Sequence, residues 1–185
     1  VYECIKILRN EIEPAAMPTW ELSLELSARM LVLSGIAADL DSARAMCTAK
    51  LESGLALERF RLNVECQNGD AAVCDNPEML LDGGIMKREI IAESDGFIAD
   101  IDTLAIGNAI CEIGGGRTKA EDEVDPGVGF ATELKIGDQI GSGDPIGILF
   151  FRNRDQFDTI SSKLAGAYSI VQEPSHPIQL IREVI

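Results

Sequence analysis

The residues with the greatest potential for chemistry lie together in residues 113–130. Three consecutive glycines, Gly114, Gly115 and Gly116, precede Arg117, whose planar, permanently charged side chain suits paired hydrogen bonds to a carboxylate. Four acids follow, and their oxygens could bind a divalent cation. These acids are Glu121, Asp122, Glu123 and Asp125. Because they lack an EF-hand spacing, we interpret them as a solvent-exposed turn partly paired with Arg117 and Lys119.

The glycine triplet matches neither of two common phosphate-binding motifs. No Gly-Lys-Ser/Thr follows it, as a Walker-type loop requires, and a helical pattern precedes it where a dinucleotide fingerprint has a strand. Glycines reach backbone angles closed to other residues and commonly end helices. The residues alone therefore predict a tight helix-to-loop turn tied by one salt bridge.

Nucleophilic catalysis has little support in the composition. His176 is the only histidine, so a Ser-His-Asp or Cys-His site would depend on this one residue in a proline-rich loop. The five cysteines are an odd number without Cys-x-x-Cys spacing, which predicts free thiols in a reducing cytoplasm rather than a zinc site or a disulfide framework.

The charge balance restricts the partners. The net charge is −15, which argues against nucleic acid and anionic membranes, since both attract basic surfaces. The sequence contains no run of 18 apolar residues of the kind that forms a transmembrane helix. An anionic substrate is not excluded, because a local basic pocket can lie within an acidic protein.

Helical periodicity covers the first third of the chain. Residues 1–9 have the pattern of a helix without a capping residue ahead of Val1, which we interpret as the cut end of a longer protein. Thr19 is the predicted N-cap of a helix over residues 20–34. Apolar residues on two faces of this helix predict that it is buried. One face carries Leu22, Leu26, Met30 and Leu33, and the other carries Trp20, Leu24 and Leu31.

Two more helices with short connections follow. Asp39 begins the first, and Ser53-Gly54 ends it; Asn68-Gly69 ends the second. Their apolar stripes comprise Leu40, Ala43, Cys47 and Leu51 in the first, and Leu57, Phe60 and Val64 in the second. A polar loop over residues 71–84 suggests a domain boundary, so we divide the chain into residues 1–84 and 85–185.

From Lys87 the hydrophobic period changes to two, which predicts strands. Strands are expected over residues 88–93, 96–101, 128–134 and 145–151, a helix over 156–167, and edge strands over 170–172 and 179–184. The predicted fold class is α+β, with an N-terminal helical segment followed by an α/β-hammerhead-like domain that has a partly rolled antiparallel sheet.

Several motifs occur in the order of a known family. They include Ser94-Asp-Gly-Phe-Ile-Ala-Asp-Ile-Asp, Gly114-Gly-Gly-Arg, Val124-Asp-Pro-Gly-Val-Gly and Ile136-Gly-Asp-Gln-Ile. This order resembles the C-terminal domain of thymidine and pyrimidine-nucleoside phosphorylases, and the resemblance runs from residue 1 to about residue 152. The chain departs from the family at Gln67-Asn-Gly-Asp, where Gln-Gly-Gly-Asp is usual, and the last 30 or so residues match no motif.

The resemblance implies an activity and indicates which half of the enzyme binds the substrates. These phosphorylases are homodimers that cleave a pyrimidine nucleoside with phosphate to the free base and a pentose 1-phosphate. A helical and an α/β domain close over both substrates. The family's phosphate-binding and base-binding residues lie in its N-terminal half, and nothing in residues 1–185 matches them. The resemblance therefore implies no catalytic and no cofactor-binding residue in this chain, which would supply scaffold and closure surface.

One residue receives a role from the resemblance. In the family, a helix similar to residues 1–5 supplies a glutamate ligand to a potassium ion, and Glu3 stands at that position. An exposed helical acid is the alternative interpretation of Glu3. A separate expectation rests on the residues themselves: three glycines let a loop take two backbone states, and arginine suits pairing with a carboxylate across a domain gap. Arg117 is therefore expected to act with Gly114–Gly116 in domain closure and interdomain docking, without a direct part in bond cleavage.

Two alternative functions stay open at this point. An AMP phosphorylase shares the C-terminal signature, so the nucleoside is not determined. The pattern from Lys135 to Ile146 also resembles the half-barrels of biotinyl and lipoyl carrier modules. Such a carrier needs a lysine at the tip of a tight hairpin, whereas Asp100-Ile-Asp-Thr follows the first half and supplies none.

Overall fold

The computed structural model describes residues 1–80, 83–174, 176–177 and 180–181 of the chain. These residues form two compact units. The first unit contains residues 1–80 together with Leu180 and Ile181, and the second contains residues 83–177. The sequence placed a boundary between residues 84 and 85; among the described residues, Leu80 is the last of the first stretch and Gly83 the first of the second unit.

The first unit is helical. Its described residues contain four α-helices, α1 (Tyr2–Leu8), α2 (Met17–Leu33), α3 (Leu40–Glu52) and α4 (Leu55–Cys66). Three short 3₁₀ turns lie at Pro14–Ala16, Ala71–Cys74 and Pro77–Leu80, so the segment expected to be a polar loop after α4 contains two ordered turns.

Local capping determines where α3 begins. The carboxylate of Asp39 accepts a hydrogen bond from the Ser42 backbone N–H at 2.8 Å, and the Ser42 hydroxyl accepts one from the Asp39 N–H. This reciprocal capping box satisfies two donors that a helix N-terminus leaves unpaired. The predicted start at Asp39 is therefore confirmed, and the ends are also as expected, with Gly54 at φ +76° and Asn68 at φ +60°.

The predicted start of α2 is wrong. The helix begins at Met17, so Thr19 lies inside its first turn and is not the N-cap. Pro18 occupies that first turn because proline has no N–H to donate, and the first helical N–H groups have no intrahelical acceptor in any case.

The predicted burial of α2 is also wrong for one of its faces. Ala28 and Glu25 are buried on the side that packs against α3, whereas the four large residues Leu22, Leu26, Met30 and Leu33 are exposed. Periodicity identifies an apolar face but does not show whether another element covers it.

The second unit is an α+β domain, as predicted. In the part of the chain that the structure describes, two three-stranded antiparallel sheets have the orders β1–β5–β3 and β4–β2–β6. The strands are β1 (Met86–Ile91), β2 (Gly96–Ile101), β3 (Gly129–Ala131), β4 (Gln139–Ile140), β5 (Pro145–Phe151) and β6 (Tyr168–Val171), and the helices are α5 (Thr103–Glu112) and α6 (Arg154–Gly166). The sheets and helices enclose one apolar core, which includes Ile98, Leu149, Ile160 and Leu164.

The strand and helix predictions are mostly close. β3 is shorter than the expected residues 128–134, and α6 begins at Arg154 rather than Gln156 because Asn153 and Gln156 form a capping box. The predicted edge strand over residues 179–184 lies mostly outside the described residues, and Leu180 and Ile181 are not in a strand. Across the described ranges, no helix combines the length and apolarity that crossing a membrane requires.

Candidate functional site

The glycine-rich loop begins at the C-terminal end of α5, and hydrogen bonds define both ends of this helix. Asp102 accepts a hydrogen bond from the Ala105 N–H at 2.8 Å and so starts the helix. At the other end the N–H groups of Gly114 and Gly115 donate to the carbonyls of Cys111 and Ile110, at 3.0 and 2.9 Å. This pair of bonds is a Schellman motif, and Gly114 supplies its left-handed residue with φ +95°.

The other two glycines are required for a different reason. Neither Gly115 nor Gly116 has a positive φ. A Cβ at Gly115 would overlap Cγ2 of Ile110, and a Cβ at Gly116 would overlap Sγ of Cys111. The triplet therefore combines one unusual backbone angle with two positions where the loop backbone lies directly against the last turn of α5.

Asp122 organises the acidic turn. Its Oδ2 accepts hydrogen bonds from the N–H groups of Thr118 and Lys119, both at 2.9 Å, and from the Thr118 hydroxyl at 2.6 Å. The Thr118 hydroxyl, followed by the two backbone donors, lowers the pKa of Asp122. The carboxylate is thus the centre of a closed turn over residues 118–122.

The expected salt bridge between Arg117 and the acids is absent among the described residues. Arg117 instead donates from Nε to the backbone carbonyl of Asp122 at 3.1 Å, and its side chain is exposed. The reason is local geometry: Asp122 turns its carboxylate toward the backbone of residues 118 and 119. Within the described ranges no three His, Cys, Asp or Glu side chains lie close enough together to hold a metal ion.

Asp125 closes the loop. Its N–H donates to the carbonyl of Gly114 at 2.9 Å, which joins the two ends of the glycine-rich segment. Its carboxylate accepts two hydrogen bonds from Arg152, Nε to Oδ2 at 2.7 Å and Nη2 to Oδ1 at 2.8 Å. The Arg152 guanidinium, with a smaller contribution from the Gly127 N–H, lowers the pKa of Asp125 to about 2.

Gln156, in the first turn of α6, provides a second support for the loop. Its side-chain amide donates to the carbonyl of Ile113 at 2.8 Å, while its Oε1 accepts from the Arg152 N–H at 2.7 Å. Gly127 leaves room for the Arg152 guanidinium, because a Cβ at position 127 would lie 2.8 Å from Nη2 of Arg152.

Sequence reasoning missed Arg152 and Gln156 as partners of the loop. They lie 27 residues beyond Asp125 and 43 residues beyond Ile113, and no motif of this chain indicates the pairing. The one signal available was the Asp125-Pro-Gly-Val-Gly run, which combines an acid with closely spaced glycines.

The loop is thus fixed at both ends and exposed in the middle. Gly114 and Asp125 join its ends, and it is supported by Arg152, which follows β5, and by Gln156 in the first turn of α6. Arg117, Thr118 and Lys119 lie on the exposed part, so two cations project from a protein with a net charge of −15. Chemically, such a surface can pair with a carboxylate or another anion.

The remaining predicted site residue is Glu3. It is exposed in the first turn of α1, where the helix dipole favours an acid. Next to it the Tyr2 hydroxyl contacts Glu78 at 3.3 Å. The described residues do not gather further acids around Glu3, so they do not by themselves form a cation site. The potassium ligand stays a prediction.

The groups considered for nucleophilic chemistry are dispersed. His176 is exposed in the segment after β6. All five cysteines are free thiols: Cys4 and Cys66 are exposed, Cys47 and Cys111 are half-buried, and Cys74 is buried.

The family of the chain follows from its similarity to known proteins. A family model described as the pyrimidine nucleoside phosphorylase C-terminal domain matches residues 97–171, a range that contains α5, the glycine-rich loop, Arg152 and α6. A thymidine phosphorylase of Sinorhizobium fredii is 32% identical over 98% of this chain. The chain belongs to the thymidine and pyrimidine-nucleoside phosphorylase family. The resemblance inferred from the motifs is confirmed.

Other relatives give the same picture. A pyrimidine-nucleoside phosphorylase of Staphylococcus haemolyticus is 34% identical over 89% of this chain, and a thymidine phosphorylase of Burkholderia orbicola is 31% identical over 97%. The chain spans about two fifths of these relatives, 42% of the Sinorhizobium fredii protein and 37% of the Staphylococcus haemolyticus protein. These matches favour neither the AMP phosphorylase nor the carrier-module alternative.

Proposed function

We propose that this chain supplies the scaffold and the closure surface of a nucleoside phosphorylase. The complete enzyme cleaves thymidine or another pyrimidine nucleoside with inorganic phosphate, and it releases the free base and a pentose 1-phosphate. The observation that carries the proposal is the family match over residues 97–171, because that range holds the whole of the glycine-rich loop and its anchors Arg152 and Gln156.

The loop suits a role in closure rather than in bond cleavage. Its ends are held by hydrogen bonds of 2.7–2.9 Å around Asp125, so its exposed middle keeps a defined shape. Arg117 presents the far end of its guanidinium to solvent and can form paired hydrogen bonds with an acidic group on a moving domain. Preorganisation of this kind lowers the entropy lost when the two surfaces meet.

The reacting groups come from the other part of the phosphorylase. No motif in residues 1–185 resembles the family's phosphate-binding Lys-Ser stretch or its base-binding arginine, serine and lysine. On this proposal the 185 residues alone do not turn over thymidine, uridine or AMP. The complete enzyme acts in the cytoplasm as a homodimer, and phosphate is its co-substrate.

Glu3 has a narrower proposed role. Its exposed carboxylate offers one oxygen ligand to a potassium ion, and the other ligands come from outside the described residues.

The proposed function is tested by comparing two proteins. One is the 185-residue chain alone, and the other is a chimera in which this chain replaces the matching 184 residues of the Sinorhizobium fredii thymidine phosphorylase. Free base is measured after incubation with thymidine and phosphate. We expect turnover from the chimera and none above background from the chain alone. A folded chimera without activity would contradict the proposal, as would turnover by the isolated chain.

A further inference from the structure

The outer face of α2 carries an uncovered apolar stripe. The α2 stripe comprises Leu22, Leu26, Met30 and Leu33, and the spacing of four, four and three residues places all four on one side of the helix. Their exposed fractions are 36%, 54%, 63% and 87%. Single exposed apolar residues are ordinary, whereas a contiguous apolar surface of this kind marks an interaction site.

A groove extends the same surface. It has a volume of about 590 Å³ and lies beside the stripe, and Met30 belongs to both. Its other large apolar walls include Trp20, Leu24, Leu31, Met46 and Leu51, which come from α2 and α3. The stripe and the groove therefore form one continuous surface on the helical unit.

Polar contacts hold α2 in this orientation. Glu25 is buried at the α2–α3 contact, where it accepts from Arg44 at 2.6 Å and pairs with Arg29 at 2.5 Å. Ala28 and Ala43 are fully buried in the same contact. Turning α2 to hide the stripe would separate the Glu25 carboxylate from Arg44 on α3, so the stripe stays outward until another surface covers it.

The family comparison indicates what covers it. The Sinorhizobium fredii enzyme matches 98% of this chain, and so matches a helix equivalent to α2, yet more than half of that enzyme lies beyond the match. A second copy of this chain is the competing occupant, and the oligomeric state of the chain alone distinguishes it from the unmatched part.

We propose that the α2 stripe and its groove dock onto the part of a phosphorylase chain that these 185 residues do not match. This inference rests on the proposed function. The docked partner presents a complementary apolar surface, so Leu26 and Leu33 lie at a solvent-free contact in the complete enzyme.

Thiol labelling measures the docking directly. Leu26→Cys and Leu33→Cys are placed separately in the chain alone and in the chimera with the Sinorhizobium fredii remainder, and maleimide labelling is followed peptide by peptide by mass spectrometry. Asp41→Cys on α3, whose native side chain is 98% exposed, is the matched control. We expect labelling at positions 26 and 33 to be at least about tenfold slower in the chimera, with equal rates at position 41 in both proteins.

A second measurement does not depend on folding of the chimera. The chain is mixed with the separately expressed unmatched part of the Sinorhizobium fredii enzyme, and sedimentation is expected to show a one-to-one complex. Leu26→Asp should weaken it at least about tenfold, the scale of burying one charge in an apolar contact. The Asp is tolerated in the free chain because position 26 is exposed there.

Each result supports or overturns the proposal. Equal labelling rates at position 26 in the chain and a folded chimera would overturn it, and so would two folded parts that do not associate. A dimer of the chain alone that Leu26→Asp dissociates would assign the stripe to a second copy and overturn it as well. Slow labelling in a chimera without nucleoside cleavage would support the docking surface while contradicting the proposed function.

Discussion

The guanidinium of Arg152 lies side by side with the carboxylate of Asp125, Nε 2.7 Å from Oδ2 and Nη2 2.8 Å from Oδ1. This arrangement is the bidentate geometry in which arginine and carboxylate interact most strongly. It joins a residue at the end of β5 to a loop that starts at the end of α5. Because Asp125 also bonds Gly114 through its backbone, one ion pair fixes both ends of the exposed surface around Arg117.

Replacing Asp125 by Asn should destabilise the second unit. Asn keeps the size of the side chain but can accept only one of the two Arg152 bonds, so we expect the Tm to fall by roughly 4–8 °C. Asp158→Asn is the matched control, because its pair with Arg154 has a distance of 3.5 Å and both partners are exposed. Differential scanning calorimetry of both variants measures the effect, and equal Tm values for the two would contradict it.

The stability contributed by Asp125 should depend on pH. Its folded pKa is about 2, below the unfolded value of about 3.9, so the native state holds the ionised form more strongly. The contribution is therefore complete above about pH 4 and is lost as the pH falls from about 4 toward 2. We expect the Tm difference between the wild type and Asp125→Asn to shrink over this range and to be constant from pH 5 to 7. A difference at pH 2 as large as the difference at pH 5 would refute the assignment.

Gly115→Ala should destabilise the protein even though its φ is not positive. The new Cβ would overlap Cγ2 of Ile110, and relieving this contact should cost about 1–3 kcal/mol. Gly107→Ala, within α5, should instead stabilise the protein. A Cβ there meets nothing within 4 Å, and alanine favours the helix by about 0.5–1 kcal/mol. Urea denaturation should give changes of opposite sign, and a destabilising Gly107→Ala would show that α5 is constrained in another way.

Arg117→Ala should affect turnover much more than stability. The side chain is exposed and bonds only one backbone carbonyl among the described residues, so the Tm is expected to change little. In the active chimera, kcat/KM for thymidine should fall about 10- to 100-fold, the effect of losing one charge-assisted contact in closure. Lys119→Ala, in the same exposed turn, is the control for general loss of positive charge. A loss of many more orders of magnitude would show that Arg117 contacts the substrate.

Glu3→Gln should weaken activation by potassium. The amide oxygen carries no charge, so the chimera with this change should need a higher potassium concentration for half-maximal activity. Glu13→Gln, in the segment after α1, serves as the control. An unchanged potassium dependence would favour the alternative interpretation, an exposed helical acid.

Features set by a few neighbouring residues could be predicted from the sequence. The start of α3 depends on Asp39 and Ser42, three residues apart, and the end of α5 depends on Gly114, so the caps were visible in the chain itself. The α+β class followed from the change of hydrophobic period near Lys87. The family followed from motifs that are also local in sequence. The prediction of Thr19 as the N-cap was wrong because α2 already starts at Met17, with Pro18 in its first turn.

The tertiary structure alone decided which distant residues meet. The pair Asp125–Arg152 and the bond from Gln156 to Ile113 span 27 and 43 residues, and hydrophobic periodicity contains no information about such partners. Gly115 and Gly116 were recognisable as necessary, but their reason, the close packing on Ile110 and Cys111, depends on where the loop lies. The stripe on α2 shows the same limit: its apolar pattern was evident, yet whether it is covered depends on the surfaces that other elements bring to it.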